Sequence, residues 1–171
     1  GRMLETLEVA GELDNTLVVV TSDNGCPFPR VKGQMYEADF HLPMAACWRD
    51  RCTPNRRVDD LVCFLDLAPT FLEAAGVEVP PQMGGTSFLP ILESEASGVI
   101  DRRRNRVFMG KERHDVGREG DVGYPVRCIR TPEFLYVRNF KPDLWPAGNP
   151  ETGFTNVDGS PTKDKKKKKK D

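Results

Sequence analysis

Apolar and polar positions divide the chain into short elements of alternating type. Met3, Leu4, Leu7 and Ala10 recur at three- and four-residue spacing, the stripe of an amphipathic helix with one buried face. After Gly11 and a turn at Asp14 and Asn15 comes Leu17, Val18, Val19 and Val20, a β-branched run without alternation. Such a run predicts a strand covered on both faces, as in a parallel sheet flanked by helices. It stops at Thr21, Ser22, Asp23, Asn24 and Gly25. Residues 26–43 follow as a long polar loop punctuated by Pro27, Pro29 and Pro43, and a loop of that length in a compact domain is usually functional.

Further along, Val58, Leu61, Val62, Leu65 and Leu72 predict helix over residues 58–76, with Asp66 available to cap a fresh helix, Pro69 in its first turn and Gly76 as the stop. Residues 88–92 read as another short apolar element. Residues 93–106 form a polar connector and a candidate subdomain boundary. Residues 106–109, 125–130 and 134–138 read as strands separated by turns, a small antiparallel sheet. These patterns predict an α/β chain in three parts: residues 1–100 as part of a larger α/β domain, residues 101–162 as a small α+β subdomain, and residues 163–171 as a solvated, disordered polylysine tail. The helical stripe beginning at Gly1 reads as though cut from something longer.

Charge sharpens this division. The chain has 25 Lys and Arg against 26 Asp and Glu, but residues 163–171 hold seven Lys and two Asp, which leaves the other 162 residues acidic at a net of −6. An acidic body argues against nucleic-acid binding, which requires a basic face. The apolar runs are far too short for a transmembrane helix. Five cysteines without a C-x-x-C pair read as scattered reduced thiols, with a Cys47–Cys52 disulfide as the alternative.

Candidate chemistry concentrates after the first strand. Ligand sites in open α/β sheets lie at the carboxyl ends of strands, and Asp23 and Asn24 stand there as adjacent oxygen donors suited to a hard cation such as Ca²⁺ or Mg²⁺. The same triplet with Gly25 is also ordinary turn chemistry. Lys32 stands out because residues 1–162 contain only three Lys beside 15 Arg. Nine residues after Asp23 on one loop, it can return an ammonium to the strand end, or it can be a solvated loop lysine. His114, among Lys111, Glu112, Arg113 and Asp115, can donate to an anion or serve as acid or base, or be a plain surface histidine. His41 reads as structural or as a loop contact to an anion. Cys26 with Arg30 four residues on is a weak thiolate pair with no orienting base nearby.

Together, "LDNTLVVVTSDNG", "PFPRVKGQMYEADFHLPMAACW", "DLVCFLDLAPTFLEAAGV" and "GGTSFLPIL" resemble the C-terminal part of the sulfatase family. "VFMGKERHDV", "GYPVRCIRTPEFLYVRNFKPDLWP" and "VDGSPTK" look closest to its sulfamidase-like branch, the N-sulfoglucosamine sulfohydrolases. The resemblance implies an alkaline-phosphatase-like α/β fold, hydrolysis of sulfate esters or sulfamates on sulfated carbohydrates, dependence on Ca²⁺ and a formylglycine nucleophile. By the same resemblance Asp23 and Asn24 match a pair of Ca²⁺ ligands, Lys32 a residue that contacts the substrate sulfate, and His114 a residue facing the substrate pocket. Family members are commonly lysosomal, periplasmic or secreted.

The departures define what this chain lacks. The family's formylglycine arises from the Cys of a C-x-P-S-R motif, and Cys26 is followed by Pro27, Phe28, Pro29 and Arg30 instead. The nucleophile and the earlier acidic ligand pair are therefore expected upstream, and the chain alone is expected not to turn over. Where the family often has Gly-x-Arg before a Pro, Asp39, Phe40 and His41 stand here. Two other readings remain: a noncatalytic sulfatase relative acting as a binding module, and a phosphate-ester hydrolase of the alkaline phosphatase superfamily.

Overall fold

The computed structural model describes residues 1–28 and 31–167. The chain divides into two compact units that are each discontinuous in sequence: residues 1–20 with 44–107, and residues 21–43 with 108–171. The loop bearing the candidate site residues thus groups with the C-terminal third of the chain.

The first unit contains helix α1 (Arg2–Val9) and the two-stranded sheet of β1 (Val18–Thr21) and β2 (Met44–Cys47). The helix and the strand appear where the apolar spacing predicts them, but the strand is not covered on both faces. Val20 is 64% exposed, α1 buries no residue, and an open cleft of about 390 Å³ is lined by Leu4, Leu13, Val18, Val20 and Ala46. Burial of a strand comes from neighbouring strands and helices, and one partner strand is too few to provide it.

Residues 58–63 are extended rather than helical, another departure from the sequence expectation. Their polar groups are taken by distant partners: Asp59 N donates to Gly98 O at 2.9 Å, and the Asp60 carboxylate accepts from Ile100 N and Asp101 N at 2.8 and 2.6 Å. Helix begins with a 3₁₀ turn (Phe64–Asp66) that runs into α3 (Leu67–Ala74), with Pro69 in the first turn and Gly76 at φ +69° past the end. Asp66 acts differently from a simple cap. Its buried carboxylate accepts from Cys63 N at 3.1 Å, Thr86 N at 2.8 Å and Arg104 Nη1 at 2.8 Å. Arg104 also donates to the carbonyls of Thr86 and Ser87, and buried Thr70 accepts from Phe88 N at 3.0 Å. This network closes over the apolar core of Phe88, Leu89 and Ile91, the last two in α4 (Leu89–Glu93).

The second unit is built on a three-stranded sheet in the order β3 (Val107–Lys111), β4 (Val126–Arg130) and β5 (Leu135–Asn139). β4 and β5 pair antiparallel with Cys128 opposite Val137, close to the strand positions read from sequence. Alternation buries Val126 and Cys128 and turns Arg127 outward, and Tyr124 and Val157 are buried in the same unit. Helix α2 (Glu37–Phe40) interrupts the long loop. Helix α5 (Pro161–Lys167) runs into the segment read as a disordered tail from residue 163, and Ser160 Oγ accepts from Lys163 N at 3.1 Å; residues 168–171 lie outside the described residues. All five cysteines are free, so the Cys47–Cys52 disulfide is not formed.

Candidate functional site

Two turns deliver Lys32 to the site. Its backbone N–H donates to Cys26 O at 3.2 Å, and Val31 N donates to Phe28 O at 3.0 Å, folding the loop back on itself. Gly33 then takes φ +75°, and a β-carbon placed on it would fall 2.3 Å from Cγ of His114. Glycine is required here twice over, for its left-handed backbone and for the imidazole lying against it.

Buried Asp39 organises the same loop by accepting backbone N–H bonds from Gly25, Gly33 and Gln34. Burial raises its pKa, and those three bonds oppose the rise. Lys111 of β3 donates to Gly33 O, and its Nζ lies 3.3 Å from Gln34 Oε1. Desolvation pushes the pKa of this lysine down to about 8, with Asp39 opposing and Arg118 adding to the shift. Glu37 in α2 receives Arg130 Nε at 2.9 Å, which holds its carboxyl below the usual range. His41 contacts that same carboxylate, Nδ1 to Oε1 at 2.9 Å, and is a surface partner of Glu37.

Lys32 and His114 meet at a third residue. Asp158 Oδ2 lies 3.0 Å from Lys32 Nζ, and Asp158 Oδ1 lies 2.6 Å from His114 Nε2. Each of the three side chains is between a fifth and a third exposed. Asp158 is held below its ordinary pKa by its bond to His114 first and to Lys32 second, while Lys32 is raised chiefly by Asp158. Asp23 and Asp39 add smaller favourable fields at Lys32. Two residues earlier, fully buried Asn156 fixes the His114 loop from below: its Oδ1 accepts from His114 N at 2.8 Å and Asp115 N at 3.0 Å, and its carbonyl accepts from Gln34 Nε2 at 3.3 Å.

Asp23 is exposed at the end of β1, and Asn24 donates through Nδ2 to Gly25 O at 2.9 Å. Among the described residues no group of three or more His, Cys, Asp and Glu side chains converges as a metal site. Cys26 is exposed, and Arg30, the cation considered beside it, lies outside the described residues.

Comparison with known proteins identifies the family. The profile of the family "N-sulphoglucosamine sulphohydrolase, C-terminal" matches residues 31–139, which hold Lys32, Lys111 and His114. The chain belongs to this sulfatase family. It is 30% identical over 149 residues to the human N-sulphoglucosamine sulphohydrolase, covering 81% of this chain and 28% of that protein. It is 29% identical to an ulvan-active sulfatase of Formosa agariphila, covering 84% of this chain and 22% of the relative. A protein solved in complex with its substrate D-glucosamine-2-N,6-O-disulfate superposes with a TM-score of 0.65 at 27% identity, over 99% of this chain and 35% of that one. The chain therefore spans between a fifth and about a third of the length of these relatives. Its α/β architecture with a small antiparallel sheet is that of the C-terminal region of a sulfatase.

Within this sulfatase segment, Lys32 and His114 come together although 82 positions separate them. Sequence reasoning missed Asp158, Asn156, Asp39 and Lys111. Asp158 does sit inside the "VDGSPTK" run that carries the family resemblance, but nothing in its local spacing marks it as a partner. Gly33→Ala tests how tightly the loop is packed: strain at positive φ together with the clash on His114 is expected to lower unfolding free energy by about 1–3 kcal/mol, read from urea denaturation.

Proposed function

We propose that this chain supplies part of the substrate pocket of a hydrolase that cleaves sulfate esters or sulfamates on sulfated amino sugars. The observation that carries this reading is the convergence of Lys32 and His114 on one carboxylate, within a sulfatase-family chain. N–H donors gathered around one anion suit a sulfate group, whose oxygens gather charge as the S–O or S–N bond breaks, and the Lys32 ammonium is the one with donors to spare. The substrate bound by the solved neighbour, a glucosamine carrying N- and O-sulfates, supports the sugar class.

Asp23 and Asn24 are the residues that would hold Ca²⁺. Their chemistry fits in part: a carboxylate and an amide carbonyl are hard oxygen donors, but Ca²⁺ takes about six to eight such ligands. The rest would come from beyond these 171 residues, as would a formylglycine nucleophile. When bound, a divalent cation supplies positive charge next to the sulfate. The work of this chain's own residues is to bind and orient: Lys32 offers ammonium N–H groups to the anion, Asp39 and Lys111 keep the loop folded so that the ammonium reaches it, and Glu37 with Arg130 anchors the loop's far end.

The test uses a polypeptide that carries this chain together with the additional length its relatives have. It should release sulfate from N-sulfated or 6-O-sulfated glucosamine in the presence of Ca²⁺ and lose that activity with a chelator. Release of phosphate from a phosphate ester, with none of sulfate, would favour the phosphatase reading. No turnover of either class would leave the binding-module reading.

A further inference from the structure

The hydrogen bonds of His114 point to a role different from direct sulfate contact. Its Nε2 bonds Asp158, and its Nδ1 edge faces Gly33, where a β-carbon would sit 2.6 Å from that nitrogen. An ionised carboxylate only accepts, so Nε2 carries the proton, and that donor is already engaged. Lys32 is different. An ammonium has three N–H donors, Asp158 takes one, and no other partner of Lys32 Nζ is found among the described residues.

We propose that Asp158 and His114 form a positioning pair for Lys32: the imidazole orients the carboxylate through Oδ1, the carboxylate aims the ammonium through Oδ2, and the two remaining ammonium N–H groups face the substrate's sulfate. The arrangement is supported from behind. Asn156 pins the backbone of His114 and Asp115, Gly33 lets the ring approach the loop closely, and Lys111 with Asp39 fixes the loop that bears Lys32. The nearby charges are Lys32, Lys111, Arg118, Asp39 and Asp158, with Asp23 beyond them. The Asp158 carboxylate also repels the incoming sulfate, so its contribution is expected in turnover rather than in affinity.

This inference rests on Lys32 binding sulfate, and the experiment separates the two. The chain has only two histidines, so ¹⁵N spectra of the labelled rings resolve His114 readily. His114 is expected to carry its proton on Nε2 when neutral. Asp158→Asn should convert it to a tautomer mixture without changing the backbone spectrum, and Asp158→Glu should restore the single tautomer. In the longer polypeptide, Asp158→Asn should lower kcat by about 100-fold, the scale of a misplaced binding group, with KM unchanged or lower. A neutral His114 protonated on Nδ1, or Asp158→Asn kinetics within about twofold of the parent while Lys32→Ala is impaired, overturns the positioning role alone. If Lys32→Ala is itself unimpaired, the sulfate reading fails instead. Should Asp158→Asn not fold, the parent spectrum and Asp158→Glu decide the question.

Discussion

If the proposed function holds, replacing Lys32 with Ala in a longer polypeptide that carries this chain is expected to lower kcat/KM for a sulfated glucosamine by about 100- to 1,000-fold, the range seen when one donor to a developing anion is removed. The thermal unfolding midpoint should not move. Lys32 is partly exposed, its ion pair among the described residues is with Asp158, and exposed ion pairs contribute little to stability. Lys32→Arg should recover only part of the activity. It keeps the charge, but its planar guanidinium cannot offer one donor to Asp158 and two to a tetrahedral anion with the same geometry. Unchanged kinetics in Lys32→Ala would show that the lysine merely closes a loop. A matched loss of folding would show that it acts through structure.

The second large effect is expected far from the site. Asp66→Ala should destabilise the 171-residue chain by about 3–5 kcal/mol, because it strands the nearly buried Arg104 guanidinium and frees two backbone N–H groups. Set against a typical domain stability of about 5–15 kcal/mol, that is a large fraction. Urea denaturation monitored through Trp48, which is buried in the same unit, would measure it. Asp66→Asn keeps the shape and one acceptor oxygen, so it should fall between the two. A loss below about 1 kcal/mol for Asp66→Ala would mean that water or a shifted Arg104 replaces the network.

These two residues differ in how visible they are before folding. Lys32 is conspicuous because lysine is scarce outside the tail and because it follows a strand end. Asp66 also announces itself, since an Asp ahead of a Pro-containing turn suggests a cap. Its larger role depends on Arg104, 38 positions away, and no periodicity links the two. Residues 58–63 show the converse. Their apolar spacing fits a helix, but Asp59 and Asp60 find partners at residues 98–101, and those bonds outweigh a weak local preference.

Some of the protein was legible in the sequence by itself. The helix before β1, the β-branched strand, the Asp23 and Asn24 turn, the three later strands and the family membership all follow from local spacing or from quoted motifs, because each rests on residues near one another in the chain. What only the tertiary structure decided depends on distance in sequence. It grouped residues 21–43 with 108–171, left β1 open for want of neighbouring strands, and set Asp158 between Lys32 and His114. An ion pair across 126 positions leaves no periodic trace, because it forms only where the folded backbone brings opposite charges within about 3–4 Å.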